Sequence, residues 1–362
     1  MSDRILTVLG TRPEIIRLSR ILPLLDDCLG SNHKILHTGQ NYTQSLSDIF
    51  FCDLKIRPPD VTLKNSFTSL AQQISNIFCG VESMIQSFQP HKVLVLGDTT
   101  SGLSAVISER MGIPVFHMEA GNRCYDLAVP EEKNRKIIDA VSSVNLPYTE
   151  LSRQNLLREG HANNKIFVTG NPIKEVVDYY QPLIDQSNIM DKLNLTNRPY
   201  IISTVHRAEN VDSTENLSNI ITALVTIAQN TTVVFSCHPR TRSKLYLFAD
   251  FLSCPNIIIT EPLSFFDFVH LEQHAVCAIT DSGTVQEEMC LFNKPTITVR
   301  NTTERPETVW CGSNIIAGLD KNKIVTAFHN LSTQSMTWPI PQGYEKTNVS
   351  KTVVNIIMGQ NV

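Results

Sequence analysis

Residues 5–14 read Ile-Leu-Thr-Val-Leu-Gly-Thr-Arg-Pro-Glu, and this stretch decides the fold class. Its first five residues form a largely apolar run, which is typical of a strand buried on both faces of a parallel sheet. Gly10 permits a tight turn, and Pro13 suits the first turn of a helix. The stretch therefore predicts a strand, a turn and a helix, the unit from which α/β proteins are built.

Similar apolar runs recur along the chain, with helical periodicity between them. Those of the first half are Ile5–Leu9, Lys34–His37, Lys92–Leu96, Pro114–Met118, Val144–Pro147 and Lys165–Val168, and those of the second half are Tyr200–Thr204, Thr232–Ser236, Asn256–Thr260, Ala275–Thr280, Pro295–Val299 and Asn314–Ala317. A turn signal at residues 169–172 separates the two series. We expect two Rossmann-like, doubly wound α/β domains, residues 1–172 and 173–362, that face a cleft. The last helix is free to pack back on the first domain.

Composition and charge exclude several classes of protein. Hydrophobic residues make up 42%, charged residues 18%, and the net charge is -4, which argues against a broad basic surface for nucleic acid. The nine cysteines include no C-x-x-C pair, so buried thiols in a reducing compartment are favoured over a zinc or redox site. With no signal-peptide pattern and no apolar stretch near ~18 residues, we predict a cytoplasmic protein without membrane contact.

Charged residues follow the predicted strands of the first half. Arg12 and Arg17 flank the start of a helix, where free N–H groups favour an anion, although solvated arginines at a turn explain them equally well. There is no G-x-G-x-x-G loop, so dinucleotide binding is disfavoured. Asp98 follows a later strand, where capping of the next helix is a strong alternative to a chemical role.

A denser group of acids follows the run that ends at Met118. Glu119 comes directly after a buried strand, where an unpaired carboxylate is costly. Glu131 and Glu132 open a predicted helix, where acids also suit the helix dipole. We interpret Glu119 and Glu131 as acid/base candidates, and we favour a simple first-turn charge for Glu132.

The second half offers groups suited to a diphosphate. His206 and His238 each lie just past a predicted strand, and their spacing matches no metal motif, so phosphate or substrate contacts are favoured. Ser282-Gly283 lies in a strand–turn–helix segment whose backbone N–H groups suit a diphosphate. Glu288, one turn later, is a candidate acceptor for ribose hydroxyls, and Arg305 offers a further positive charge.

Read together, these segments resemble the non-hydrolysing UDP-N-acetylglucosamine 2-epimerase family. The matching segments, in family order between residues 10 and 307, are Gly-Thr-Arg-Pro-Glu, Gly-Asp, His-x-Glu-Ala-Gly, Pro-Glu-Glu-x-Asn-Arg, His-Arg-x-Glu-Asn, His-Pro, Asp-Ser-Gly and Thr-Thr-Glu-Arg-Pro-Glu. The resemblance implies a fold like that of GT-B glycosyltransferases, a homodimer, and a reaction without a metal or a redox cofactor.

The resemblance also implies a mechanism. In that family C2 loses its proton while UDP leaves C1, and UDP adds back to the 2-acetamidoglucal after a proton reaches the opposite face of C2. Carried over by position, Asp98, Glu119 and Glu131 are the acid/base residues, and Arg135 and His206 stabilise the site and the departing diphosphate. The groups predicted to bind substrate or UDP are Arg12, Arg17, His238, Ser282, Gly283, Glu288 and Arg305.

Some residues depart from the commonest family pattern and indicate the sugar. Arg17 stands where many members have lysine, Gly121-Asn122-Arg123-Cys124 replaces Gly-Leu-Arg-Thr, and Thr284 replaces a glycine. The Gly-Asn-Arg-Cys and Asp-Ser-Gly-Thr variants, with Pro262-Leu263 followed by Phe265-Phe266, resemble a subgroup that acts on UDP-activated 6-deoxy-L-hexosamines, such as UDP-N-acetyl-L-fucosamine or its L-quinovosamine counterpart. The alternatives are interconversion of UDP-GlcNAc and UDP-ManNAc, a hydrolysing epimerase, a GT-B glycosyltransferase and a non-catalytic binder of sugar nucleotides.

Overall fold

The structure, a computed structural model, describes residues 3–40, 50–64, 67, 69–332 and 337–360. The chain divides into two compact units, Met1–Asp178 with Gln342–Val362, and Tyr179–Pro341. The first unit therefore extends beyond residue 172, the end predicted from the turn signal, and it includes the last segment of the chain. The turn at 169–172 leads into a helix whose first residues still belong to the first unit.

The described residues of each unit contain one six-stranded parallel sheet. The strands of the first sheet are β1 (Ile5–Leu9), β2 (His33–His37), β3 (Val61–Thr62), β4 (Lys92–Leu96), β5 (Val115–Met118) and β6 (Val144–Leu146). Those of the second are β7 (Tyr200–Thr204), β8 (Thr232–Ser236), β9 (Ile257–Thr260), β10 (Ala278–Thr280), β11 (Thr296–Thr298) and β12 (Asn314–Ile316). The predicted fold class, α/β with two doubly wound parallel sheets, is confirmed.

The two sheets have the same topology. The first has the order β3-β2-β1-β4-β5-β6, and the second has the order β12-β11-β10-β7-β8-β9, which is the same sequence of strands from the opposite edge. Each sheet therefore has a switch point, between β1 and β4 and between β7 and β10, where the chain leaves neighbouring strands towards opposite edges. Ligands bind such sheets at the carboxyl ends of these strands.

Helices connect the strands in the order that a doubly wound fold requires. They are α1 (Arg12–Leu18), α2 (Ile21–Leu29), α3 (Leu70–Phe88), α4 (Ser104–Arg110), α5 (Pro130–Val141), α6 (Glu150–Arg158), α7 (Ile173–Ile184), α8 (Ile189–Lys192), α9 (Ala208–Val211), α10 (Thr214–Ile227), α11 (Pro239–Arg242), α12 (Ala249–Ser253), α13 (Phe265–His274), α14 (Gly283–Leu291), α15 (Pro306–Trp310), α16 (Lys321–Ser332) and α17 (Val349–Gly359). Short 3-10 turns lie at Gly30–Asn32, Thr100–Leu103, Asn163–Lys165 and Leu245–Leu247.

One detail differs from the predicted elements. The run Lys165–Val168 forms only an isolated bridge between Asn145 and Ile166, and Val168 is 41% exposed, so this apolar run covers surface rather than extending the sheet. At the chain's end, α17 packs on α2 of the first unit, where Lys92 Nζ donates to the carbonyl of Ile357 at 2.7 Å.

Apart from β3, β9 and β12, the strands of both sheets are almost wholly buried, which explains their continuous apolar sequence. Chain direction and burial thus place the polar residues that follow each strand at one edge of its sheet. None of the helices in the described ranges combines the length and the apolar character needed to cross a membrane.

Candidate active site

The switch point of the first unit is organised by Glu14, a buried residue of α1. Its Oε2 accepts the N–H groups of Gly10 at 2.8 Å and Thr11 at 2.6 Å, and its Oε1 accepts the hydroxyl of Thr99 at 2.7 Å. Burial raises the pKa of Glu14 to about 7 against the opposing effect of these hydrogen bonds. Glu14 therefore ties the turn after β1 to the turn after β4.

Asp98 follows β4 and is paired with Arg135 of α5. The ion pair measures 2.5 Å between Oδ2 of Asp98 and Nη2 of Arg135, and the side chains are 19% and 1% exposed. The side-chain amide of Asn134 also donates to the carbonyl of Asp98 at 2.9 Å. The N-cap of the following 3-10 turn is Thr99. Asp98 is thus a partly exposed carboxylate beside one guanidinium, and the alternative of a helix cap does not describe it.

Glu119 follows β5, the neighbour of β4, and forms an ion pair with Arg17 of α1. Both side chains are at most 5% exposed, and the guanidinium carbon of Arg17 lies 5.9 Å from the ring centroid of Tyr148. The φ angle of Glu119 is +65°, a conformation that side-chain-bearing residues rarely adopt. Such backbone strain persists where the surroundings fix it, often at functional sites. The structure therefore places Arg17, predicted as an anion ligand, against a carboxylate.

The remaining predicted residues of the first unit are partly exposed. Glu131 lies half-buried in the first turn of α5. Arg12 is half-buried at the start of α1, its guanidinium carbon is 5.5 Å from the ring centroid of Phe50, and burial lowers its pKa. Both side chains remain accessible to a ligand.

A buried charged network lies behind Glu119. The imidazole of His117 contacts Oδ1 of Asp139 at 2.8 Å and the carbonyl of Gly97 at 2.9 Å. Arg123 pairs with Oδ2 of Asp139 at 2.7 Å and with Glu159. Both ring nitrogens of His117 thus face oxygen atoms, which hold the ring at the end of β5. The network fixes the backbone on either side of Glu119.

In the second unit, Asp281 joins the two loops of the switch point. Its carboxylate accepts the N–H groups of His206 at 3.1 Å and Arg207 at 2.9 Å, and the side-chain amide of Asn210 at 2.9 Å. The imidazole of His206 lies 3.4 Å from Asp281 and 5.6 Å, centroid to centroid, from the ring of His238. Asp281 therefore positions His206, and the fold places the predicted residues His206 and His238 side by side.

The start of α14 is lined by an acid held between two arginines. Glu304 pairs with Arg207 at 3.1 Å and with Arg300 at 2.8 Å, and all three lie at or near the end of a strand. A Cβ atom on Gly283 would lie 2.6 Å from Oε1 of Glu304, so any other residue there requires the Glu304 carboxylate to shift. Ser282, the N-cap of α14, is half-buried beside this group. The predicted strand–turn–helix segment is thus present, with charged groups behind it, and diphosphate binding there stays a prediction.

Two predicted ligands of the second unit are buried against other carboxylates. Arg305 is 4% exposed and pairs with Glu287. Glu288 is 3% exposed and interacts with Glu272 of α13, whose pKa is raised well above its usual range by burial and by the charge of Glu288. The charged form of Glu272 is therefore disfavoured beside Glu288 in this buried site.

Sequence reasoning named candidate residues that follow the strands. It gave no site role to the buried residues that form hydrogen bonds or ion pairs with them. The missed residues are Glu14, Glu132, Asp139, Asp281, Arg300 and Glu304. Two of them carried a signal: the spacing from Thr11 to Glu14 is that of a capping box, and Asp281 begins the Asp-Ser-Gly turn. Across the described ranges, no three His, Cys, Asp or Glu side chains cluster so as to hold a metal ion.

Comparisons with known proteins give one consistent result. The family model described as UDP-N-acetylglucosamine 2-epimerase matches residues 28–358. A protein of Methanocaldococcus jannaschii named UDP-N-acetylglucosamine 2-epimerase is 38% identical over 349 residues, 94% of this chain and 95% of that protein. One of Pseudomonas aeruginosa named UDP-2,3-diacetamido-2,3-dideoxy-D-glucuronate 2-epimerase is 32% identical over 327 residues, 89% of this chain and 90% of that one.

Among solved structures, the UDP-GlcNAc 2-epimerase of Methanocaldococcus jannaschii in complex with UDP-GlcNAc and UDP superimposes with a TM-score of 0.92. It is 35% identical, and the match covers 99% of this chain and 100% of that one. The similarity therefore extends over both units and all the segments described above.

Proposed function

The chain belongs to the UDP-N-acetylglucosamine 2-epimerase family and is a UDP-sugar 2-epimerase, and we propose that it inverts C2 of a UDP-N-acetylated amino sugar with carboxylates of its first unit. The observation that carries this proposal is the pair of acids after adjacent strands, Asp98 after β4 and Glu119 after β5, each beside one arginine. Acid/base groups on neighbouring loops can serve the two proton transfers of an inversion.

In the proposed reaction, carboxylates transfer the protons and cationic groups stabilise the charge. We assign removal and return of the C2 proton to Asp98, Glu119 and Glu131, because these carboxyl groups can each hold or release a proton. Arg135 lies beside Asp98 and balances its charge as protons move. As the C1–O bond to UDP breaks and the 2-acetamidoglucal forms, cationic groups must stabilise the departing diphosphate.

The second unit supplies the groups proposed for UDP. Ser282 and Gly283 open α14, whose backbone N–H groups suit a diphosphate, and His206 and His238 lie close together after β7 and β8. Glu288, with its neighbour Glu272, is proposed for the ribose hydroxyls. Arg12 and Arg17 of the first unit and Arg305 of the second are proposed as further positive charge; for Arg17 and Arg305 this requires that their present carboxylate partners share them.

For the sugar, the segment Gly121–Cys124 supports a UDP-6-deoxy-L-HexNAc. Asn122, Arg123 and Cys124 are at most 8% exposed and contact other parts of the first unit. They would therefore affect the choice of sugar indirectly, by setting the backbone conformation of the loop. That loop exposes Tyr125 and Leu127, by 66% and 58%. We propose that this loop borders the sugar, where exposed apolar surface suits a sugar that lacks a 6-hydroxyl group.

UDP-GlcNAc is the second candidate, favoured by relatives of that name that match nearly the whole chain. Identity alone discriminates weakly, because the relative named for a diacetamido-glucuronate is 32% identical. A panel of UDP-sugars incubated in D₂O and followed by proton NMR separates the candidates. We expect deuterium at C2 and faster turnover of the 6-deoxy-L-sugar, and rapid turnover of UDP-GlcNAc alone would reverse the choice.

The acid/base assignment is tested by Asp98→Asn, Glu119→Gln and Glu131→Gln. Each is expected to lower turnover by about 10²–10⁴-fold, since that is what positioned acid/base groups contribute. Thermal unfolding should show that the variants remain folded. Near-normal rates in all three, or free UDP accumulating in step with product, would contradict the proposed reaction.

We also place the protein in a reducing compartment, the cytoplasm, because its cysteines are free thiols where described. A homodimer remains a prediction from the family resemblance, and sedimentation analysis measures it.

A further inference from the structure

Glu132 has a different environment from an ordinary acid in the first turn of a helix. Such acids usually interact with the helix dipole from solvent. Glu132 is 0% exposed, and burying a carboxylate is costly unless it is compensated. Two groups of donors compensate this cost. One lies on the loop that starts at Glu119, and the other is Arg135, one turn further along α5.

Towards the loop, Glu132 accepts three donors. The N–H of Cys124 lies 3.0 Å from Oε2, and the N–H of Tyr125 lies 3.1 Å from Oε1. The Cys124 Sγ atom is 3.4 Å from Oε2, and burial raises the pKa of this thiol, so a neutral S–H donates to the carboxylate. Glu132 therefore fixes the far end of the short segment that begins at Glu119.

Towards the sheet, Glu132 holds a guanidinium that also binds Asp98. Nη1 of Arg135 lies 2.7 Å from Oε2 of Glu132, and Nη2 lies 2.5 Å from Oδ2 of Asp98. The planar guanidinium has a fixed fork geometry, so a partner on one nitrogen sets the direction of the other. The orientation of Arg135 at Asp98 therefore depends on Glu132.

We propose that Glu132 is a positioning residue that holds Arg135 against Asp98 and, through the loop, holds the segment carrying Glu119. One buried carboxylate thus keeps two of the acid/base groups in a fixed arrangement. This inference rests on the proposed function, because it gives Glu132 importance only if Asp98 and Glu119 move protons. Misplacement of such groups by about 1 Å costs on the order of 10²-fold in rate.

The test is Glu132→Gln, which keeps the shape and can keep the acceptor for Tyr125. Its amide nitrogen cannot accept from Arg135 or from the N–H of Cys124. We expect kcat to fall about 10²-fold with KM little changed. Glu132→Asp keeps the charge but has a shorter side chain, and it should recover part of kcat. If Glu132→Gln unfolds, kcat is measured with Glu132→Asp instead, and it should lie between the wild-type value and complete loss.

Glu109→Gln is the matched control. Glu109 accepts the N–H groups of Val115 at 2.8 Å and Ser143 at 2.7 Å, so it also holds backbone, but at the opposite ends of the strands. We expect it to lower Tm by about as much as Glu132→Gln and to leave kcat unchanged. A kcat loss in Glu109→Gln equal to that in Glu132→Gln would show a general effect of weakened folding and overturn the inference.

A double-mutant cycle with Asp98→Asn separates the role of Glu132 from the role of Asp98. If Glu132 acts through Arg135 on Asp98, adding Glu132→Gln to Asp98→Asn should cost much less than it costs alone, measured as deuterium incorporation at C2. Normal exchange in Asp98→Asn would refute the acid/base role of Asp98, on which this inference rests. An impaired Asp98→Asn combined with a normal Glu132→Gln would refute only the role of Glu132, and fully multiplicative effects would refute its action through Arg135 on Asp98.

Discussion

The two switch points have the same topology, but in each a different element supplies the carboxylate that bridges the loops. In the first unit the bridging carboxylate, Glu14, comes from the helix after β1, and three of its four donors belong to its own turn. In the second unit the bridging carboxylate, Asp281, follows β10, and its donors lie across the switch point on the segment after β7. Asp281 therefore carries more of the connection between its loops than Glu14 does.

The difference predicts the largest effect for Asp281→Asn. Its amide nitrogen would face the backbone N–H of His206 or Arg207, and buried hydrogen bonds to a charged group are each worth about 1.5–3 kcal/mol. We expect a loss of roughly 2–4 kcal/mol in the free energy of unfolding, with UDP bound more weakly by the disordered His206 loop. Denaturant unfolding and calorimetric titration with UDP measure the two effects.

Asp212→Asn is the control, because Asp212 forms only an exposed ion pair with Arg240. Its effect should stay within about 0.5 kcal/mol. If both variants were equally stable, Asp281 would not be the connection that its contacts indicate.

Gly283 tests how closely the acid behind α14 must fit. A Cβ atom there would press on Oε1 of Glu304, whose position is set by Arg207 and Arg300, so the carboxylate cannot move without weakening both ion pairs. We expect Gly283→Ala to destabilise the protein by about 1–3 kcal/mol and to weaken UDP binding, despite the better helix propensity of alanine.

Gly359→Ala is the matched change in α17, where a Cβ atom would meet no heavy atom of the described residues within 4 Å. It should be neutral or stabilising by up to about 1 kcal/mol. Tighter UDP binding by Gly283→Ala would show that Glu304 does not support the turn.

The sequence predicted the loop tips well because they obey local rules. A buried run followed by Gly10 or by Ser282-Gly283 is readable from neighbouring residues alone. Glu132 was misread as a first-turn charge because its burial depends on Arg135 and on Cys124, and only the folded loop brings these together. The packing of the chain's last helix on the first unit was left open by the sequence, because it depends on contacts with α2 that are distant along the chain.

The smallest effect is expected at Glu14, and it depends on pH. Burial raises the pKa of this carboxyl from 4.5 to about 7, so between these values the folded state binds a proton that the unfolded state has lost. Stability from this group is therefore complete below pH 4.5 and decreases as pH rises towards 7, by at most about 3 kcal/mol. Glu14→Gln cannot ionise, yet its amide oxygen can accept from Gly10 and Thr11 while its nitrogen donates to Thr99. We expect the variant to be less stable than the wild type near pH 5 and to gain relative to it as pH rises to 8, measured by denaturant unfolding across this range. Parallel pH profiles for the two proteins would contradict this prediction, because they would show that the pKa of Glu14 in the folded state is not raised.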